Sequence, residues 1–157
     1  MLLNIVRQDH SKLTIKSKIS ILFLSLLLLA CQQPPDKAKV IQVIDGDTVV
    51  IEGGYHVRYI GINAPEKDEF YHTESKQLNK DLVEGKEVRL ETDISTEDKY
   101  GRLLRYVFVD DSFVNAEIIR QGYAYAKAYT PDIKYQTFLE AMEREARQKK
   151  KGIWSQK

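Results

Sequence analysis

The chain has a single cysteine, Cys31, so no intrachain disulfide can brace its fold. Histidine is nearly as scarce. His56 and His72 have no spacing that suits a shared metal ion, and both read as structural or surface residues. No internal repeat is present, which sets aside solenoid and array architectures. The apolar run at residues 19–30 is 12 residues long, short of the roughly 20 that a membrane-spanning helix needs. Neither sign of charge dominates. The formal net charge is +1, and residues 1–30 hold four basic residues and one acid, so the remainder carries −2. That balance excludes a protein that coats a polyanion through a general positive field. Any anion site has to come from a local cluster.

What is present reads as one globular domain of 157 residues, 43% hydrophobic and 30% charged. Lys12, Lys16 and Lys18 precede the apolar run, the arrangement of a signal peptide. Its end, Leu28-Leu29-Ala30-Cys31, resembles the bacterial lipobox. The resemblance implies cleavage before Cys31, lipid on Cys31, and an exported protein anchored on the extracytoplasmic side of a membrane. Two or more acyl chains would anchor it stably. The expected organisation is a signal peptide at 1–30, a lipidated Cys and polar tether at 31–37, and a folded domain at 38–157.

Three β-like runs open that domain. Val40-Ile41-Gln42-Val43-Ile44 stops at the turn dipeptide Asp45-Gly46. Residues 48–52 and 55–62 flank Gly53-Gly54, a two-residue hairpin signal, and Pro65 stops the third run. Residues 70–84 predict a helix with Tyr71, Ser75, Leu78 and Leu82 on one face and Gly85 at its end. Residues 87–93 alternate as a strand, and 103–109 form a strongly apolar one. Asn115 is placed to cap a short helix ending at Gly122. A last helix is predicted over 131–151, with Tyr135, Phe138, Leu139, Met142 and Ala146 as its apolar stripe. The class is α+β, mainly β. Short strands with one inserted helix fit a five-stranded OB-type Greek-key barrel with about three helices. Periodicity alone leaves an open α+β sheet as the alternative.

The chemistry concentrates in three segments: Asp45-Gly46-Asp47-Thr48 with Arg58 beyond it, Asn63-Ala64-Pro65-Glu66, and Asp98-Lys99-Tyr100-Gly101-Arg102. Carboxylates can hold a hard cation and orient a water. Guanidiniums can make paired hydrogen bonds to phosphate oxygens that a lysine cannot reproduce. Together these parts suit hydrolysis of a phosphodiester.

The same segments, in this order, are similar to the thermonuclease (staphylococcal-nuclease-like) family. The likeness runs on through Val114-Asn115, Arg120-Gln121-Gly122-Tyr123-Ala124 and Gly152-Ile153-Trp154. It implies an OB-type barrel with three helices and Ca²⁺-dependent cleavage of DNA and RNA, with little sequence preference, to 3′-phosphate and 5′-hydroxyl ends. It further implies Arg58, Glu66 and Arg102 as catalytic residues, and Asp47, the Asn63 side chain and the Ala64 carbonyl as Ca²⁺ ligands. Lys99, Tyr100 and Tyr129 would contact substrate. Asn63 departs from the family pattern, which has a second Asp there, and one charge fewer implies weaker Ca²⁺ binding. A monomer acting on single-stranded or frayed nucleic acid is expected. The alternatives are a non-catalytic nucleic-acid-binding module on the same fold and a structural lipoprotein with an incidental barrel.

Overall fold

The computed structural model describes residues 33–155. The predicted signal peptide and Cys31 lie outside the described residues. Strand β1 (Lys37–Asp45) pairs with β2 (Thr48–Ile51), and β2 pairs with β3 (His56–Tyr59), all antiparallel. A two-residue strand β4 (Ile62–Asn63) and helix α1 (His72–Val83) follow. Strands β5 (Glu87–Glu91) and β6 (Leu103–Val109) then pair antiparallel, and β5 returns to the start of β1. One parallel pairing, β3 with β6, closes the ring of five strands into a barrel. Strand β7 (Ser112–Phe113), helix α2 (Val114–Arg120), strand β8 (Tyr125–Ala126) and helix α3 (Gln136–Gln148) complete the order, with a 3₁₀ turn at Gly152–Trp154. This is the five-stranded OB-type barrel with three helices that the sequence predicts.

Alternation drives the barrel. Val40, Val49, Val57, Val88, Leu103 and Val107 point inward and are buried, and Ile118, Ile119 and Leu139 from the helices cover the core. These branched side chains suit a pleated, half-buried surface, which favours strand over helix.

Several local expectations need correction. Strand β1 starts at Lys37, and the Leu90 N–H donates to the Asp36 carbonyl, so pairing reaches into the segment read as tether. The β2–β3 turn runs through Glu52, Gly53 and Gly54, one residue longer than a Gly-Gly hairpin, because Ile51 N–H bonds to the Tyr55 carbonyl. Helix α1 begins at His72, since Tyr71 takes a positive φ of 70°. Its most buried residues are Ser75, Asn79 and Val83, while Leu78 and Leu82 are only partly covered. Asn115 is no cap. It is fully buried in α2, accepts the Val107 N–H at 3.0 Å and donates to the Ile60 carbonyl at 2.9 Å. Helix α3 starts at Gln136, and Phe138 leaves the predicted stripe, half exposed, with its ring stacked near that of Phe113.

The C-terminal end is anchored by glycine. Gly122 and Gly152 lie so close that a Cβ on Gly122 would sit 2.4 Å from the Lys151 carbonyl oxygen. Ile153 N–H bonds to the Gly122 carbonyl there, and Trp154 packs edge-on against Tyr125.

Candidate functional site

The β1–β2 turn is pinned before it carries any chemistry. Asn79 on α1 donates to the Asp45 carbonyl at 2.9 Å and accepts from the Tyr59 hydroxyl at 3.0 Å. Gly46 has to be glycine because a Cβ would fall 1.8 Å from Ser75 Oγ and 2.7 Å from the Ala64 Cβ. The turn therefore seats directly against α1 and the Ala64 strand end.

Asp47, next in the turn, is 5% exposed. Its Oδ2 accepts the Ala64 N–H at 2.7 Å and faces Arg58 Nη2 at 3.0 Å, and its Oδ1 accepts the Thr48 hydroxyl at 3.0 Å. Burial pushes the Asp47 carboxyl up to about 7. The Arg58 guanidinium pulls the other way, and the neighbouring Asp45 carboxylate adds to the rise. Arg58 comes from the middle of β3, next to the closing strand. Its Nη2 also donates to Asn63 Oδ1 at 3.2 Å, and its Nη1 donates to the Tyr59 carbonyl at 2.9 Å. One guanidinium nitrogen thus bridges the Asp47 and Asn63 oxygens.

Asn63 ends β4, and its Nδ2 reaches the Ala64 carbonyl at 3.5 Å. Glu66 follows Pro65 on an exposed turn closed by Glu69, whose carboxylate accepts the Glu66 N–H at 2.8 Å. The Glu66 carboxylate itself has no partner among the described residues.

Arg102 arrives from the other side. The loop before β6 wraps the Asp98 carboxylate, which accepts the Tyr100 and Arg102 backbone N–H groups and Arg102 Nε at 2.7 Å, with Arg102 Nη2 ion-paired to the same oxygen at 2.7 Å. Burial would raise the Asp98 carboxyl, but the Arg102 and Tyr100 hydrogen bonds outweigh it and hold it below the usual carboxylate range. Arg102 Nη1 has no partner among the described residues.

Asp47, Arg58, Asn63, Glu66, Arg102 and Tyr129 all line one cleft of about 480 Å³. The parallel ladder is what joins them. It sets Arg58 opposite Leu104, two residues after Arg102. Ala64 is buried behind the cleft. Lys99 and Tyr100 do not line it. The Tyr100 ring is exposed, with the Lys99 ammonium and the Arg102 guanidinium over it at 5.0 and 5.6 Å. Tyr129 Oη reaches Asn63 Oδ1 at 3.5 Å. Three acidic lining residues escaped the sequence reading as site residues: Asp45, Asp98 and Asp132. Asp98 could have been found from its spacing to Arg102. Asp132 gives no such signal, since it reads as the start of the last helix.

Closed barrel and cleft together define a small OB-type barrel with a cleft on its flank where carboxylates and two guanidiniums meet. A family model described as staphylococcal nuclease homologue matches residues 56–156. A thermonuclease of Staphylococcus hyicus is 36% identical over 126 residues, covering 74% of this chain and 75% of the relative. An uncharacterized endonuclease of Escherichia coli O157:H7 is 35% identical over 122 residues, covering 74% and 76%. One from Haemophilus influenzae is 34% identical over 141 residues, covering 87% and 76%. The chain belongs to the staphylococcal nuclease family.

Proposed function

We propose that this chain is a Ca²⁺-dependent nuclease that hydrolyses phosphodiester bonds in DNA and RNA with little sequence preference, leaving 3′-phosphate and 5′-hydroxyl ends. The observation that carries this is the meeting of two guanidiniums, Arg58 and Arg102, with the Asp47 and Glu66 carboxylates in one cleft. Relatives named thermonuclease and endonuclease support the same reading.

The donors present fit a hard cation in kind. Asp47 Oδ2 and Asn63 Oδ1 already converge on a single cationic nitrogen, and they and the Ala64 carbonyl are all oxygen ligands of the sort Ca²⁺ takes. Among the described residues no three His, Cys, Asp or Glu side chains cluster as a metal site, so a cation there would lean on the neutral oxygens of Asn63 and Ala64 beside Asp47. Bound there, Ca²⁺ would supply Lewis-acid polarisation of a phosphate oxygen.

The chain's own groups do the rest. Asp98 holds Arg102 by Nε and Nη2 and leaves Nη1 for substrate. Before a cation binds, Arg58 is held by Asp47, Asn63 and the Tyr59 carbonyl; a cation on the Asp47 and Asn63 oxygens would release its Nη2 toward substrate, with Nη1 still held by the Tyr59 carbonyl. Negative charge grows on the phosphoryl oxygens as water adds, and fixed cations stabilise that state more than the ground state. Glu66, with its carboxylate unpartnered, orients the attacking water and takes its proton. Phosphate-directed contacts explain a weak sequence preference. We extend the proposal to location: removal of residues 1–30, lipid on Cys31, and a monomer anchored to a membrane on its extracytoplasmic side.

Incubating residues 32–157 with denatured DNA or RNA, in Ca²⁺ or in EGTA, tests it. Ca²⁺-dependent cleavage is expected, with kcat lowered about 10²-fold or more by Arg58→Ala or Arg102→Ala, the scale of losing a transition-state donor. Binding without cleavage would mark a non-catalytic module, and neither activity a structural lipoprotein.

A further inference from the structure

Glu66 takes the proton in the reading above, yet its place in the chain is a poor one for a group that must be aimed. Pro65 is buried, and Glu66 is the first of five exposed residues, 66–70, that lead to α1. Aim matters to such a group, because a misplacement of about 1 Å can cost about 10²-fold in rate. The peptide unit between Pro65 and Glu66 is what steadies it. Its carbonyl oxygen lies 3.0 Å from Nδ1 of His72, and its N–H donates to Glu69 Oε2 at 2.8 Å. A carbonyl oxygen only accepts, so Nδ1 carries the hydrogen. One planar unit is thus gripped at both its oxygen and its hydrogen.

The grip fixes torsion angles. The pyrrolidine ring already locks φ of Pro65. Holding the next peptide plane sets ψ of Pro65. Beyond the Glu66 Cα, the Glu66 carbonyl accepts the Glu69 N–H at 2.8 Å, so the backbone is held on both flanks of that carbon. The Cα–Cβ bond of Glu66 then leaves the chain in one direction. His72 brings rigidity from further off. It is the first residue of α1, whose Ser75 hydroxyl donates to the Tyr123 carbonyl at 2.7 Å and whose Asn79 pins the β1–β2 turn. The same helix thereby seats the turn that carries Asp47 and steadies the backbone that carries Glu66. We propose that His72 and Glu69 are positioning residues, which aim the Glu66 carboxylate by clamping the Pro65–Glu66 peptide. The proposal rests on the nuclease reading above, with Glu66 acting on the water, and adds two residues that touch no substrate.

Mutant cycles on the cleavage of denatured DNA in saturating Ca²⁺ test it. Glu69→Ala and His72→Ala should each lower kcat about tenfold, the scale of one hydrogen bond, and leave KM unmoved, because the contact they protect is made in the transition state. Glu69→Gln keeps an oxygen acceptor and His72→Asn keeps a nitrogen donor on Cγ, so each should recover most of that loss. The same alanines are then placed on Glu66→Gln. With the base gone there is nothing left to aim, so neither should lower kcat further. Equal fold losses in both backgrounds would make the pair merely structural and overturn the proposal. Full kcat in E69A would overturn it as well, and since Glu69 lies on an exposed turn that variant decides even if H72A does not fold. Full kcat in E66Q would overturn the positioning role and leave the nuclease reading standing. Failure of wild type to cut would overturn both.

Discussion

Arg58 and Asp47 form an ion pair at 3.0 Å whose side chains are 12% and 8% exposed. Arg58→Ala would leave a buried carboxylate with only the Ala64 N–H and the Thr48 hydroxyl. Removing one partner of a buried pair costs about 3–5 kcal/mol. Even with Arg58 in place, burial carries the Asp47 carboxyl up to about 7. The sign follows from which state holds the proton. Between pH 4 and 7 the folded chain keeps it and the unfolded chain releases it, so this carboxyl lowers stability as pH rises through that window. Arg58→Ala extends the loss to higher pH. In EGTA at pH 8, urea unfolding should show a cost of about 3 kcal/mol. At pH 5 Asp47 is protonated in both proteins, and the cost should shrink to about 1 kcal/mol, the packing and hydrogen bonds alone. Placing Asn at position 47 should likewise reduce the pH 8 cost of Arg58→Ala to about 1 kcal/mol, since a neutral amide has no charge to leave stranded. A cost that is the same at both pH values, and the same with Asp or Asn at 47, would refute the coupling and leave Arg58 as packing only.

Asn63→Asp adds a second carboxylate beside Asp47 and should tighten Ca²⁺ binding on the order of tenfold, because ligand charge count tunes such sites. A Ca²⁺ titration of thermal stability reads this without any substrate, and an unchanged midpoint would remove Asn63 from the ligand set. Asn115→Ala strands the Val107 N–H and the Ile60 carbonyl inside the protein and should cost about 2–4 kcal/mol in urea unfolding. A loss below 1 kcal/mol would show that the latch is replaceable by repacking.

The fold was legible where side-chain pattern and backbone demand agree. Strands β2, β3 and β6 are apolar runs bounded by turn residues, and the core they form is buried as the pattern requires. Arg58 was conspicuous because a charge interrupts Val57-Arg58-Tyr59-Ile60, and the structure puts that charge against Asp47. What stayed hidden depends on distant partners. The parallel β3–β6 pairing leaves no local mark, since each strand reads the same whichever neighbour it finds. Two-residue strands such as β4 and β8 are too short for any period. Asn115 looked like a cap, yet it and Asn79 are both buried and spend their amides on carbonyls far along the chain. Helix α3 lost its expected first turn because the Asp132 N–H is taken by the Tyr129 carbonyl and its carboxylate by residues 94 and 95.

The pairing that shuts the barrel has one more implication. Arg58 and the approach to Arg102 face each other across the parallel seam that closes the barrel, Val57 with Leu103 and Arg58 with Leu104. The gap between the two cationic arms is therefore set by the seam and by nothing weaker. A chain open along it would leave the Arg58 and Arg102 side chains without a common cleft.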